Sequence, residues 1–458
     1  MSLRSITKSL VMLALISSTV TWGDLSNFNK ADAYPRFTTL QPHQYLYTYY
    51  TDELKKEKVT WCNPENFGVF LSPFGQNATI GANADNIIVA LGDLEGRWNI
   101  LGLLFGAVPA GQTLPPVLAT ARAALFPNLP PGFVIDDNSI VDPQHNFGYF
   151  SVPLNYRKGG VRAEFQTMLF CDIGIQIQAG VADIFQVTGT FINRTGQGSF
   201  VPPPSIPTLT VANVNTFLMD QIDEIAEELG LNIENFHEFS LEDPRIDLFW
   251  RHAYFINEFR PTWPKFLLIP FVDVGFAAAI AKNHNYNKVF AVPFSNNNSN
   301  AVGFDMGLNL DFIETVEIGA HAGITHFFSK ERTCFMMPTD DAQSGIFPFK
   351  SDVIVQPGRN LLFGLKLNAR HFLDMLSFYF EYVLVDHDPD CFKLRSPDAA
   401  FFPVILRDRS SWKVQVINTA LNYDISPNVS LGFLWQAPVA ERNAYRSTTV
   451  MVSFNATF

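Results

Sequence analysis

Residues 450–458 have the sequence VMVSFNATF, and their side chains alternate between two chemistries. One set of alternate positions is apolar and consists of Val450, Val452, Phe454, Ala456 and Phe458. The other set is largely polar and consists of Met451, Ser453, Asn455 and Thr457. Successive side chains of a β-strand point to opposite faces, so this segment predicts a strand with one apolar and one polar face.

The same period-two pattern recurs along the chain from residue 144 onwards. It is clearest in residues 161–169, 173–181, 304–312, 316–325, 361–370, 376–384 and 429–436. Weaker strands are predicted at 144–157, 246–259 and 266–280. The apolar phase shifts at Val416–Ile417, within residues 412–423, which predicts a β-bulge there. An additional hairpin is predicted at 66–94.

The connections between these strands fall into two classes. Those at 313–315, 372–375 and 425–428 are short, whereas those at 185–245, 281–301, 329–360 and 387–411 are long. A β-sandwich has no reason to sort its connections in this way, but a barrel in an outer membrane has tight turns on one side and long loops on the other. The predicted fold is therefore an all-β, transmembrane, antiparallel up-and-down β-barrel of about 12–14 strands, with a helix-containing long loop, over residues 66–458.

The C-terminal strand also carries a family resemblance. An amphipathic last strand that contains Phe454 and ends in Phe458 resembles the assembly signal of Gram-negative outer-membrane β-barrel proteins, porins among them. The resemblance covers residues 144–458 as a general architecture and matches no particular subfamily. It implies that the barrel-insertion machinery and outer-membrane lipid are partners, and that both termini are periplasmic.

The N-terminal region predicts export. Arg4 and Lys8 precede an apolar stretch at 9–20, and small residues follow just before Asp24, so residues 1–23 are expected to be a signal peptide. Residues 24–65 are polar and predict a periplasmic segment. Residues 95–140 include an uncharged run broken by prolines, which is too short to span a membrane and predicts a plug, a re-entrant segment or an outer loop.

Four cysteines, Cys62, Cys171, Cys334 and Cys391, permit two disulfides in an exported chain. The predicted topology places Cys334 and Cys391 in outer loops and the other two near the periplasmic side. Pairing within each side is expected, because the Cα atoms of a disulfide must lie within about 7 Å of each other.

The polar faces of the strands are expected to line the lumen, since the apolar faces must meet lipid. The predicted lumen residues are Arg162, Glu164, Asp305, Asp311, Glu317, His321, Lys366, Arg370, Glu381 and Lys413. Charges of both signs suit a diffusion channel that orients hydrated solutes. The alternative is an ion-pair network that plugs a closed barrel.

Residues 185–245 form a second candidate site. Apolar residues at helical spacing precede Gly230, which predicts a helix with a glycine at its C-terminal end. The segment also concentrates acids, and five of them are candidates for a constriction or for the solvated face of an outer lid: Asp220, Asp223, Glu224, Glu227 and Glu228. Folded into the pore, these acids would favour cations.

These observations predict a porin-like channel for passive diffusion of small hydrophilic solutes, with weak cation preference. Alternatives are a transporter of hydrophobic substrates and a non-transporting adhesin or structural barrel; a homo-oligomer is left open. No catalytic motif, cofactor or metal-binding motif is recognised, so an enzyme is not expected. The net charge of −12 argues against nucleic acid as a partner.

Overall fold

The computed structural model describes residues 67–94, 98–99, 102–125, 149–170, 172–194, 221–256, 266–282, 288–292, 294, 296, 298–312, 316–340, 343, 345–373, 375–426 and 429–457. The strands are β1 (Phe67–Ala78), β2 (Ile80–Ala82), β3 (Ile88–Ala90), β4 (Trp98–Asn99), β5 (Tyr149–Ser151), β6 (Leu154–Phe170), β7 (Ile173–Thr188), β8 (Ile192–Asn193), β9 (Phe236–Leu241), β10 (Arg245–Arg251), β11 (Tyr254–Ile256), β12 (Phe266–Ala277), β13 (Ala301–Phe312), β14 (Val316–Phe327), β15 (Lys330–Met337), β16 (Phe349–Gln356), β17 (Asn360–Leu373), β18 (Leu376–His387), β19 (Cys391–Leu394), β20 (Trp412–Ser426), β21 (Val429–Arg442), β22 (Ala444–Tyr445) and β23 (Thr448–Thr457). The α-helices span Gly102–Phe105, Pro116–Leu125, Ile222–Glu228 and Pro403–Ser410.

Twelve antiparallel strands close into a barrel, which confirms the predicted fold class. Around the ring the order is β1, β6, β7, β10, β12, β13, β14, β17, β18, β20, β21 and β23, and β23 pairs with β1 to close it. β9 extends the line of β10 along β7, and β11 pairs with the first residues of β12. Closure leaves no unpaired sheet edge, which is the condition for a β-sheet to span a bilayer.

The strands have an apolar outer face and a different inner face. On β13, Phe304, Met306 and Leu308 are exposed on the outside, while Asn309 and Asp311 are buried inside. The outward band of exposed Leu, Val, Ile and Phe runs round the ring, as expected of a surface that lipid covers. None of the helices in the described part of the chain is both long enough and apolar enough to cross a membrane.

Short turns join the strands at one end of the barrel, here called the turn end, and long connections leave the other, the loop end. The long connections fold together into a cap over the loop end. It contains three small sheets, β15–β16–β19, β2–β3–β22 and β4–β5–β8, and helices. One apolar cluster joins cap residues from five connections, among them Leu104, Phe150, Ile225, Phe290 and Phe335.

Three local expectations need correction. Residues 144–157 and 161–169 were expected to form two strands, but Leu154–Phe170 is one 17-residue strand, β6. The expected hairpin at 66–94 is divided: Phe67–Ala78 is a barrel strand, and β2 and β3 form a small hairpin in the cap. The bulge near Val416 lies in the partner strand, since Gln415 pairs with Ala440 and Val416 pairs with Pro438, leaving Val439 as the extra residue.

Candidate functional site: a polar belt in the lumen

Most of the predicted lumen residues do lie on the inner face of the barrel. They are Arg162, Glu164, Asp305, Asp311, Glu317, His321, Lys366 and Glu381. Several are almost completely buried: Asp311 is 0%, Glu381 1% and Lys366 5% exposed. A water-wide passage does not reach these side chains in the state described.

Lys413 is a correction, because it lies on the outer face. Its neighbours Trp412 and Val414 are the inward, buried residues of β20, and Lys413 Nζ forms an ion pair with Asp386 Oδ2 at 3.0 Å. The prediction placed the phase shift within β20, whereas β20 alternates regularly through Val416 and Asn418. Arg370 belongs to β17, and its side chain lies outside the described residues.

A chain of hydrogen bonds links side chains from five wall strands and passes over a sixth, β17. His321 contacts two carboxylates, with Nδ1 3.3 Å from Asp305 Oδ2 and Nε2 3.1 Å from Glu381 Oε1. Asn418 Nδ2 donates to Glu381 Oε2 at 2.9 Å, and Gln436 Nε2 donates to Asn418 Oδ1 at 3.0 Å. Because acceptors flank both ring nitrogens, His321 can donate to both only as an imidazolium.

A glycine makes the contact between His321 and Glu381 possible. Gly364 on β17 pairs with His321 and stands between it and Glu381 on β18. A Cβ at position 364 would lie 1.9 Å from His321 Nε2, so only a glycine leaves room for the ring. The missing side chain thus allows the imidazole to lie flat along the wall.

The belt continues on the other side through residues that the sequence analysis missed. Arg245 donates from Nε to Asp247 and, at 3.4 Å, from Nη2 to Asp273 Oδ1. Asp273 stands directly opposite Asp305, which joins this group to the His321 group. Gln178 donates to Glu164 at the same height. We call this set the lumen belt: Glu164, Gln178, Arg245, Asp247, Asp273, Asp305, His321, Glu381, Asn418 and Gln436.

The alternation of polar and apolar residues in the sequence could have identified Arg245 and Asp247. Residues 245–251 have the sequence RIDLFWR, in which Arg245, Asp247 and Arg251 alternate with Ile246, Leu248 and Trp250. This is the same period-two pattern, although the predicted strand was set at 246–259 and its charges were not assigned to the lumen. Three of its four inward positions are charged, with Phe249 the exception, and these charges mark the inner face.

Three further ion pairs lie beside the belt, two towards the loop end and one towards the turn end. Towards the loop end, Glu242 binds Lys158 Nζ at 3.0 Å and Arg162 Nε at 2.8 Å. Towards the turn end, Lys366 Nζ lies 3.1 Å from Glu317 Oε1. All of these side chains are at most 15% exposed. Among the described residues, no group of three or more His, Cys, Asp or Glu side chains is arranged to hold a metal ion.

The acidic loop residues lie in the cap. Asp223, Glu224, Glu227 and Glu228 are on the helix Ile222–Glu228 and are exposed, whereas Ile222 and Ile225 are buried in the cap cluster. Gly230 has a φ of +70° just after this helix, as the predicted cap requires. This placement agrees with a lid. Asp220 lies outside the described residues.

The cysteines and the assembly signal can be placed in part. Cys334 and Cys391 are both free and lie on β15 and β19, the two outer strands of a three-stranded sheet, so the expected bond between them is wrong. With β16 between them, their Cα atoms are about two strand spacings apart, beyond the reach of a disulfide. Phe454 is exposed on the outer face of β23. Cys62, Cys171, Phe458 and residues 1–65 lie outside the described residues.

Comparison with solved structures finds outer-membrane barrels at low TM-scores and low sequence identity. An outer-membrane channel from Pseudomonas putida F1 has a TM-score of 0.45 at 8% identity, covering 86% of this chain and 96% of that one. The CymD monoaromatic hydrocarbon channel has a TM-score of 0.31 at 8% identity, covering 86% and 89%. The translocator domain of the autotransporter NalP from Neisseria meningitidis also has a TM-score of 0.31, at 6% identity, covering 91% and 96%.

No family model matches the sequence, and no curated protein matches it. The comparisons therefore assign neither a subfamily nor an activity.

Proposed function

We propose that this protein is an outer-membrane channel for small hydrophilic solutes, with a weak preference for cations. The observation that carries the proposal is the lumen belt, a nearly continuous ring of charged and amide side chains inside a closed barrel. The proposal places the turn end, where β1 begins and β23 ends, on the periplasmic side and the cap outside the cell.

The inner face has an excess of acids among the described residues. Its carboxylates include Glu164, Glu242, Asp247, Asp273, Asp305, Asp311, Glu317 and Glu381. Its cations include Lys158, Arg162, Arg245, Arg251 and Lys366, and His321 when protonated. Because carboxylates outnumber cationic side chains inside a low-dielectric wall, the lumen attracts positively charged ions, so cations are favoured.

Several buried polar atoms on the inner face support a hydrated path. Both side-chain atoms of Gln166 and both of Asn309 are buried without a hydrogen-bond partner. Leaving such groups dry costs about 1–3 kcal/mol each, so they favour water or a polar solute beside them. A barrel filled only for strength would use apolar side chains at these positions.

Because belt residues such as Glu381 are almost fully buried, the state described is closed or very narrow. Conduction then requires the contacts of His321 with Asp305 and Glu381 to separate. The expected behaviour is a small conductance with frequent closures, rather than the steady large conductance of a wide pore.

The test is single-channel recording of the refolded protein in a planar bilayer with a salt gradient. Steps whose reversal potential indicates cation preference are expected, and Glu381→Gln should alter the open probability. Asp386→Asn, a matched change on the outer face, should leave the recordings unchanged. A folded barrel that shows no conductance at any voltage would refute the proposal.

A second candidate is transport of hydrophobic substrates, favoured by the apolar cluster of the cap above the polar lumen. In this case a long-chain fatty acid or an alkyl detergent should bind to the purified protein, and Phe290→Ala should weaken that binding. Conductance without such binding selects the channel. Absence of both leaves a non-transporting barrel that uses its outer loops.

A further inference from the structure

Arg245 holds its guanidinium in a cradle on the barrel wall. Its Nε donates to Asp247, and its Nη2 lies 3.4 Å from Asp273 Oδ1. A Cβ at Gly275 would lie 2.4 Å from Arg245 Nε, and a Cβ at Gly303 would lie 3.3 Å from Nη2. The two glycines are paired in register and form a flat floor beneath a planar cation.

The cradle has more negative charge than one arginine neutralises. Asp273 and Asp305 stand directly opposite each other on neighbouring strands, and Asp247 belongs to the strand on the other side of β12. Like charges in direct cross-strand register repel, and burial removes the water that would screen them. Asp305 is shared with His321, so Arg245 is the cation that contacts the other two.

Several buried polar atoms next to the cradle have no hydrogen-bond partner. Glu164 Oε1 and Asp305 Oδ1 are buried and accept no hydrogen bond. Gln166, 1% exposed and two residues from Glu164 on the same face, has neither side-chain atom bonded. Glu164, Gln178 and Arg245 are in register on three adjacent strands, so these acceptors are at the height of the cradle.

We propose that this cradle is a binding site for small solutes that carry a guanidinium group, and that Arg245 is its built-in occupant, which such a solute displaces. Paired carboxylates over a flat floor match a planar, five-donor cation better than a compact ammonium or potassium ion. As a statement about transported solutes, the inference rests on the proposed channel function. Binding itself can be measured without transport.

The first experiment is chemical rescue of Arg245→Ala, which empties the cradle. Guanidinium chloride at about 10 mM should raise the thermal unfolding temperature of the detergent-solubilised variant, because a ligand that binds only the folded state stabilises it. Urea, a neutral molecule of the same shape, and methylammonium should not. Arg395→Ala, which removes an exposed cap arginine paired with Glu331, is the control and should show no rescue.

Rescue in Arg245→Ala alone supports the site, whereas equal responses in both variants would overturn it. If Arg245→Ala does not fold by itself, the same comparison is made during refolding. The measured quantity is the fraction of folded barrel, which is recognised by a change in electrophoretic mobility on heating. An increase of this fraction with guanidinium, but not with urea or methylammonium, supports the site, and no increase overturns it.

The second experiment measures the permeability ratio of guanidinium to potassium in planar bilayers. Asp247→Asn combined with Asp273→Asn removes both carboxylates of the cradle and should lower the ratio on the order of tenfold, which corresponds to about 1.4 kcal/mol. The control is Asp183→Asn, an exposed carboxylate on the outer face of β7. Conduction with an unchanged ratio would overturn the inference and leave the channel intact. Rescue without any conduction would leave the site and overturn the channel.

Discussion

The lumen and the cap are buried to a similar extent but are built from opposite side chains. The lumen belt consists of carboxylates, amides, Arg245 and His321, which contact one another across glycines such as Gly364. The cap cluster consists of aromatic and aliphatic side chains, with Trp98 near Phe150 and Phe290, and Phe335 near Phe392. Burial in this chain therefore does not imply apolar packing. The lumen buries specific contacts between polar side chains, whereas the cap buries apolar surface.

The largest expected effect is in the cap. Phe335→Ala should cost about 3–5 kcal/mol, because Phe335 is 1% exposed and its removal leaves a cavity in the cluster. Tryptophan fluorescence during urea unfolding in lipid vesicles would measure the loss. Phe402→Ala is the matched control, since Phe402 is exposed in the same cap, and it should change stability by less than about 1 kcal/mol. Equal losses would mean that the cap has no apolar core.

A smaller effect is expected from overpacking the lumen. Gly364→Ala places a methyl group where the His321 ring lies, so the ring must move and its contact with Glu381 should break, at a cost of about 1–3 kcal/mol. Urea unfolding in vesicles measures the cost, and single-channel recording should show a changed open probability. Gly75→Ala, with no atom within 4 Å of its new Cβ, is the control and should be neutral. A neutral Gly364→Ala would contradict the described belt.

An exposed ion pair on the outer face is expected to contribute less to stability than the buried ion pairs of the lumen. Lys413 and Asp386 are 36% and 38% exposed, so Lys413→Ala should cost at most about 1 kcal/mol. A double-mutant cycle with Asp386→Ala measures the coupling free energy of this pair. A coupling energy as large as that of the buried pair Lys366–Glu317 would show that lipid, rather than water, surrounds Lys413.

The smallest effect concerns a single cap lysine. Burial, reinforced by the nearby Arg332 guanidinium, lowers the pKa of Lys330 from 10.5 to about 8. Between these pH values the unfolded chain binds the additional proton, so this group makes the cap more stable as the pH rises. Acetylation followed by mass spectrometry should show Lys330 reacting with a midpoint near pH 8. A midpoint at the ordinary lysine value of 10.5 would contradict the burial of Lys330.

The sequence predicts the barrel and four of the ten belt residues for the same reason. A strand that separates lipid from a polar interior must alternate, so Asp305, Glu317 and Glu381 can be assigned to the lumen without knowledge of their partners. The contacts of His321 with Glu381 could not be predicted, because they depend on Gly364 from a third strand. The register between strands, rather than the pattern within one, decides that contact.

The apolar core of the cap could not be predicted. Its core joins short segments from separate loops, such as Leu104, Phe290 and Phe347, and none of these segments has a period that reveals a partner. Lys413 was misplaced because the polarity of β20 is reversed near the loop end, where Trp412, Val414 and Val416 point inward and Lys413 and Gln415 lie on the outer face. Where the interior is itself apolar, alternation still marks two faces, but polarity no longer shows which of them points inward.

The seam between β1 and β23 has a kinetic consequence. Its hydrogen bonds join segments that are farther apart in sequence than any other neighbours in the ring, so bringing them together carries the largest loop-closure entropy. The same seam is extended into the cap by β2 and β22, and Tyr156 and Tyr445 meet edge to face beside it. Contacts at the loop end can therefore hold β1 and β23 together while their remaining hydrogen bonds form one after another. Pairing of the two strands would then proceed from the loop end to the turn end.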